Sequence, residues 1–169
     1  MIMKIIYITL LICFSISSFG QEAEGFIQKG DIKSQNEDYK GAIEEYNKAI
    51  EKDPEMKNAY LQRAFAYILI EDYKSAIKDY SKVIEFEDNH LWSYMSRGSS
   101  YNKIKEYQKG LKDFNKVISL DPNNQEAYNN RGWSKKFLGD TKGACADWKK
   151  SKKLGNKEAK IIYKNNHCK

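Results

Sequence analysis

Residues 43–54 read IEEYNKAIEKDP, residues 111–122 read LKDFNKVISLDP, and residues 77–88, IKDYSKVIEFED, fall midway, so one phrase recurs at a spacing of 34. A period of this length marks a supersecondary unit too small to bury its own apolar face, and copies of it must stack to build a core. Aligning the chain at 34 brings out the columns that stacking needs. Gly30, Ala64, Gly98 and Gly132 form one, and Ala42, Ala76, Gly110 and Ala144 form another twelve residues later. Four residues beyond the second stand Tyr46, Tyr80, Phe114 and Trp148, and four before the first stand Phe26, Tyr60, Tyr94 and Tyr128. Within a unit, apolar residues recur at three and four, as in Tyr60, Ala64, Tyr67 and then Ala76, Tyr80, Val83, which predicts two amphipathic helices. The small columns let antiparallel helices approach closely, and the aromatic columns fill the space beside them.

Asp38, Asp72, Glu106 and Asp140 precede the second helix of each unit, where an acid can cap free N–H groups and meet the positive helix end. Asp53-Pro54 and Asp121-Pro122 close that helix, because proline disfavours helical geometry in the residue before it. The series Tyr94, Gly98, Tyr101, Gly110, Phe114 and Pro122 resembles the tetratricopeptide repeat, with its aromatic, small, small, aromatic and proline positions at this period. The resemblance covers residues 23 to about 155 and implies an all-α fold, a right-handed α-solenoid of four helix hairpins at about 23–56, 57–90, 91–124 and 125–155. There are departures: Lys33 and Lys135 stand where an aromatic is usual, Asp88 replaces the closing proline of the second unit, and Ser151 gives the fourth a polar end. In residues 156–169, Ala159, Ile162 and Tyr163 fall at helical spacing and look like the solvating helix that closes such stacks, with a basic tail.

The first twenty residues, MIMKIIYITLLICFSISSFG, differ from the rest. Lys4 supplies a positive start, Ile5 to Ile16 is almost wholly apolar, and Ser18-Phe19-Gly20 offers small residues for cleavage before Gln21. This is the pattern of a secretory signal. The apolar run of about 12 residues falls short of the roughly 20 that span a bilayer, against a retained anchor. Ile12 stands before Cys13 where a lipoprotein signal carries a small residue, against lipid anchoring. The expectation is export to the periplasm or cell envelope, with secretion as the further option. Over the whole chain, 41% hydrophobic and 31% charged residues suit a folded protein with a core, not a disordered one.

Export would leave Cys145 and Cys168 as the cysteines of the mature chain, an even number in an oxidising compartment. Cys145 falls on the last unit's second helix, and Cys168 follows a closing helix that should fold back against it. A disulfide is expected, provided the Cα atoms come within about 7 Å. The alternatives are two free thiols or a metal site with His167, which would lack a fourth ligand.

The family resemblance implies binding of other proteins, usually a peptide laid in the concave surface lined by the first helix of each hairpin. The residues raise the same question independently. Tyr60, Ala64 and Tyr67 form one apolar stripe, and Leu61, Phe65, Ile68 and Leu69 form a second that the sister helix does not require. Trp92, Met95, Trp133 and Phe137 continue the second face, where the first unit has Asp31 and Ser34. Leu61, Phe65, Leu69, Trp92, Met95, Trp133 and Phe137 are therefore the candidate groove for a partner with apolar side chains. Packing between neighbouring repeats is the competing account of the same residues. Some members of the family hold a partner's C-terminal carboxylate with Lys, Arg and Asn; here the groove-facing places hold Ile27, Leu61, Met95 and Asn129, and the resemblance stops short of that clamp.

Arg63, Arg97 and Arg131 also recur at 34, and Asp79, Asp113 and Asp147 follow each by 16, with Glu45 as an earlier acid. A structural ladder of ion pairs between facing helices is the preferred reading, and anion binding by the arginines is its rival. Catalysis is not expected and no cofactor is implied: His90 and His167 are the two histidines, and no phosphate loop, zinc-protease motif or nucleophile elbow occurs. The net charge of +6 is a C-terminal property, since eight lysines after Trp148 face the single acid Glu158. That run is read first as a solvated face that stops further stacking, with contact to an anionic membrane surface or another polyanion as the alternative. Nucleic acid is not an expected partner.

Overall fold

The computed structural model describes residues 20–168, so the leader, apart from Gly20, lies outside the described residues. These residues form nine α-helices and no strand. They are α1 (20–35), α2 (Tyr39–Lys52), α3 (Lys57–Leu69), α4 (Tyr73–Phe86), α5 (Leu91–Lys103), α6 (Tyr107–Leu120), α7 (Gln125–Phe137), α8 (Thr141–Lys153) and α9 (Lys157–Asn165). The chain divides into two compact units, one ending at Asp72 and one beginning at Tyr73.

In the first unit the core gathers Ile27, Ala42, Ile43, Tyr46, Ala49, Ala59 and Ala66 from α1, α2 and α3. Tyr46 is almost wholly buried, and its hydroxyl donates to Asp31 Oδ1 at 2.8 Å. That bond gives the buried phenol a partner, and burial together with Asp31 raises its pKa. Ile27, which the sequence places on a groove-facing position, lies in this core. The first hairpin thus turns that position inward.

In the second unit each helix from α4 to α9 packs against the next, and α5 also meets α7. The small columns do the work that their size allows. A Cβ on Gly110 would sit 2.9 Å from the Gly98 carbonyl oxygen and 2.6 Å from Asn102 Oδ1, so α5 and α6 approach at the limit of backbone contact. Phe114, Val117 and Trp148 are fully buried, and Trp148 Nε1 donates to the Asn129 carbonyl at 3.2 Å. Removing a buried aromatic side chain of this kind costs about 3–5 kcal/mol, the usual scale for such truncations.

Two of the acids act as the sequence signals, and Glu106 does not. Asp38 accepts from the Gly41 amide at 3.0 Å and Asp140 from the Gly143 amide at 2.8 Å. Glu106 makes no side-chain cap; it reaches instead to Lys109 at 3.4 Å, because its longer side chain is less suited to turn back on its own backbone. Lys52 and Leu120 end α2 and α6 directly before Asp53-Pro54 and Asp121-Pro122. Between the helices of each hairpin the backbone enters the left-handed region at Glu37, Glu71, Lys105 and Gly139, again at a spacing of 34.

Candidate partner-binding face

On α3, Phe65 and Leu69 are exposed, Phe65 to 41%, and Leu61 is half-buried beside them on the same face. In the second unit the candidate residues divide. Trp92 is 47% exposed and meets the ring of Tyr80 edge-on at 5.8 Å. Met95 is half-buried. Trp133 and Phe137 come together with ring centroids 6.0 Å apart, and Phe137, 56% exposed, stacks on Tyr107 at 4.7 Å. These two aromatics and Ser99, Asn102, Lys103 and Asn130 line an open pocket of about 350 Å³ between α5 and α7. Trp133 and Phe137 supply its apolar part, and Ser99, Lys103 and Asn130 its polar part, while the Asn102 amide is already bonded to Ser134 and to the Asn130 carbonyl. Trp92 and Met95 are not among its lining residues.

Trp133 serves two surfaces. Its ring also meets the buried Trp148 at 5.2 Å, so the residue belongs to the repeat core as well as to the pocket. Asn129 departs from expectation in the same way as Ile27. It is buried, and its Nδ2 donates to Glu158 Oε2 at 3.1 Å, because α9 closes over the position that a free repeat would leave open.

Arg97 and Arg131 of the arginine column are bound on both sides. Arg97 gives Nε and Nη2 to the two carboxylate oxygens of Asp113, each at 2.8 Å, and Nη1 to Ser81 Oγ at 3.0 Å. Arg131 repeats the pattern, with Nε to Asp147 at 2.8 Å, Nη2 to Asp147 at 2.6 Å and Nη1 to Asn115 at 2.8 Å. Arg63 donates to Asn47 at 2.6 Å. Asp79 is buried on α4. Asn47, Ser81 and Asn115 form a polar column at 34 that sequence reasoning missed, although each stands sixteen residues before an arginine. Burial works against the Arg97 charge, but the contacts with Asp113 outweigh it and raise the guanidinium pKa. At Arg131 the Asp147 hydrogen bond leads and the direction is the same. These guanidiniums are spent on protein groups in planar two-point contacts, not displayed to an anion.

Lys33 and Lys135, the departures from the aromatic column, join this system. Lys33 lies 3.6 Å from Glu45, and Lys135 lies 2.8 Å from Asp147. A lysine at that place reaches the acid of the second helix. Cys145 on α8 and Cys168 after α9 lie with Cα atoms 5.4 Å apart, inside the range a disulfide requires. Among the described residues no group of three His, Cys, Asp or Glu is placed to hold a metal ion.

Comparison with solved structures places this geometry. A crystal structure of MamA protein superposes with a TM-score of 0.78 at 21% identity, covering 87% of each chain. MamA residues 41 to the end from Desulfovibrio magneticus RS-1 superpose with a TM-score of 0.74 at 22% identity, covering 78% of this chain and 75% of that one. The first tetratricopeptide domain of Spaghetti (RPAP3), bound to the HSP90 peptide SRMEEVD, gives 0.66 at 26% identity, covering 71% of this chain and 95% of that one. No curated protein matches the chain in sequence. Sequence profiles of the TPR repeat match residues 30–70, and profiles of the tetratricopeptide repeat match 58–90, 92–124 and 114–146. The profiles and the superpositions agree with the hairpin columns: the chain belongs to the tetratricopeptide-repeat family.

Proposed function

We propose that the protein is an exported adaptor that binds a partner protein or peptide through the first-helix faces of its hairpins, with the pocket between α5 and α7 as the main contact. The observation that carries this reading is the pocket of about 350 Å³ that Asn130, Trp133 and Phe137 of α7 line together with Ser99, Asn102 and Lys103 of α5. A large side chain left 56% exposed, as Phe137 is, gains by being covered. The partner presents an apolar or aromatic side chain to Trp133 and Phe137, and backbone or polar groups to Ser99 and the Asn130 amide. Phe65 and Leu69 offer a second apolar contact on α3. The peptide bound to the RPAP3 domain shows that this fold can hold a short segment. Its acidic end is not the chemistry expected here, since Ile27, Leu61, Met95 and Asn129 supply no cationic clamp.

Export is supported by the charged and apolar leader, and independently by the closeness of Cys145 and Cys168, which we read as a disulfide suited to an oxidising compartment. Thiol titration of the unreduced, unfolded chain should find neither cysteine reactive; two reactive thiols would remove the bridge.

A photoreactive residue at Ser99 tests the binding face in the native cell envelope. It should cross-link a partner, and the same group at the exposed Lys112 on α6 should not. Phe137→Ser, with the helical melt unchanged, should abolish the Ser99 adduct. Equal adducts from Ser99 and Lys112, or an adduct that ignores Phe137→Ser, would clear this face of a role.

A further inference from the structure

We propose that the open face of α9 is a docking site for an anionic lipid surface. Lys157, Lys160, Ile161 and Lys164 fall at i, i+3, i+4 and i+7 and so form one stripe along the helix. With Asn165 they line a shallow depression of about 590 Å³. The opposite face of α9 is spent on the core: Ala159 and Ile162 are buried, and Ile162 packs with Ala144 and Trp148. None of the three lysines has a carboxylate within salt-bridge distance among the described residues.

The register of α9 on its neighbours shows what this face replaces. Asn124 and Asn156 cap α7 and α9 identically, accepting from the Ala127 and Ala159 amides. Tyr128 and Gly132 of α7 therefore correspond to Lys160 and Lys164 of α9. Gly132 lies directly against Trp148 of the sister helix, where a Cβ would meet the indole. In α9 the same positions meet no further helix among the described residues, and both carry lysine.

A surface whose task was solely to block another hairpin would be polar throughout. This one has Ile161 at its centre, 61% exposed and the most exposed large apolar side chain among the described residues. An apolar tip ringed by unpaired ammonium groups matches a lipid interface, where the tip enters the headgroup boundary and the cations meet anionic headgroups. Lys149, Lys150, Lys152 and Lys153, all exposed on α8, raise the local potential further. This site is separate from the α5/α7 pocket, and neither depends on the other.

Flotation of the full chain with vesicles of phosphatidylcholine alone, or mixed with phosphatidylglycerol, tests it, the apolar leader being common to every form. The wild-type chain should float with the anionic vesicles in preference to the neutral ones. Lys157→Gln/Lys160→Gln/Lys164→Gln should weaken that partitioning about a hundredfold, at roughly fivefold per lysine. Ile161→Ser should weaken it about tenfold, and exchange of the three lysines for arginine should preserve it. Helical melts of the variants should match the wild type, since the altered side chains are exposed. Phe137→Ser should leave flotation unchanged, which separates this site from the partner pocket. No preference for anionic vesicles, or a triple glutamine variant that floats as well as wild type, would overturn the proposal. Tight binding of polyglutamate that ignores Ile161→Ser would also overturn it, by pointing to an acidic polypeptide as the occupant.

Discussion

The acid of the second helix is held by different means at the two ends of the described chain. In the first hairpin Glu45 receives Lys48 at 2.8 Å and Lys33 at 3.6 Å, both from within that hairpin. In the third and fourth hairpins Asp113 and Asp147 each take a guanidinium in two-point contact, and the same guanidinium reaches back to Ser81 or Asn115 on the preceding second helix. An ammonium is a point charge on a flexible stem, whereas a guanidinium is a planar fork with donors for two neighbours at once. Arg97 thereby ties α4, α5 and α6 together. The α1 helix has no earlier helix among the described residues for a fork to reach, and lysines suffice there. Place in the stack decides the chemistry of the column.

The sharpest way to break this comparison is Arg97→Leu. The Asp113 side chain is 5% exposed, so the change leaves a buried carboxylate without its partner and should cost about 4 kcal/mol in urea unfolding. Adding Asp113→Leu should recover a large part of that loss, because the stranded charge goes with it. A single variant as stable as wild type would show that the fork is not structural and would return the arginines to the anion-binding reading.

The bond we propose between Cys145 and Cys168 would give the C-terminal end a second fastening. The proposed disulfide spans 23 residues, and a loop of that size should contribute roughly 3 kcal/mol. Cys145→Ser/Cys168→Ser should lower the unfolding free energy of unreduced protein by that amount and leave reduced protein unaffected. Equal shifts under both conditions would assign the effect to packing of the sulfurs.

Much of the fold was legible in the columns, because small and aromatic residues at a fixed period have few other uses. The polar column Asn47, Ser81 and Asn115 was written at the same period and went unseen. Asn and Ser are ordinary on solvated helix surfaces, and only the stacking register shows that they face an arginine. The binding face was half legible. Apolar spacing found Trp133 and Phe137, but whether Trp133 turns to Trp148 or to solvent depends on how the helices pack, which no single helix records. Ile27 and Asn129 were misplaced for the same reason. Each is covered by structure peculiar to its end of the chain, the first core and α9.

Lys33→Met measures the first hairpin on the same scale as Arg97→Leu. Lys33 is substantially exposed and Lys48 still serves Glu45, so the loss should stay below about 1 kcal/mol. A cost near that of Arg97→Leu would erase the difference between the ends. Acid titration gives a second measure. The Lys48 hydrogen bond holds the Glu45 carboxyl below its ordinary value of 4.5, with the charges of Lys48, Lys33 and Lys29 adding and burial opposing. A folded value below the unfolded one means that this stability is full above pH 4.5 and is lost as pH falls through the folded value. Melting temperatures of wild type and Glu45→Gln should therefore converge as pH drops through that window. Parallel curves would place the acid sensitivity elsewhere.

The smallest effect tests the hairpin turns, where Glu37, Glu71, Lys105 and Gly139 all take the left-handed backbone. Lys105 holds φ at 64° and Gly139 holds it at 88°, at matching places in the third and fourth hairpins. A residue with a Cβ pays about 1 kcal/mol or more to sit in the left-handed region, and glycine avoids that while losing more freedom on folding. Lys105→Gly should thus stabilise the chain by about 0.5 kcal/mol, the difference of those two costs. Gly139→Ala should destabilise it by about 1 kcal/mol, and since a Cβ there meets nothing within 4 Å, the loss is conformational and not steric. Opposite signs in thermal melts would show that the turn is set by the stacking of the helices on either side, which imposes it on lysine and glycine alike. A shift of the same sign in both variants would mean that contacts of the Lys105 side chain, not its backbone, decide the third turn.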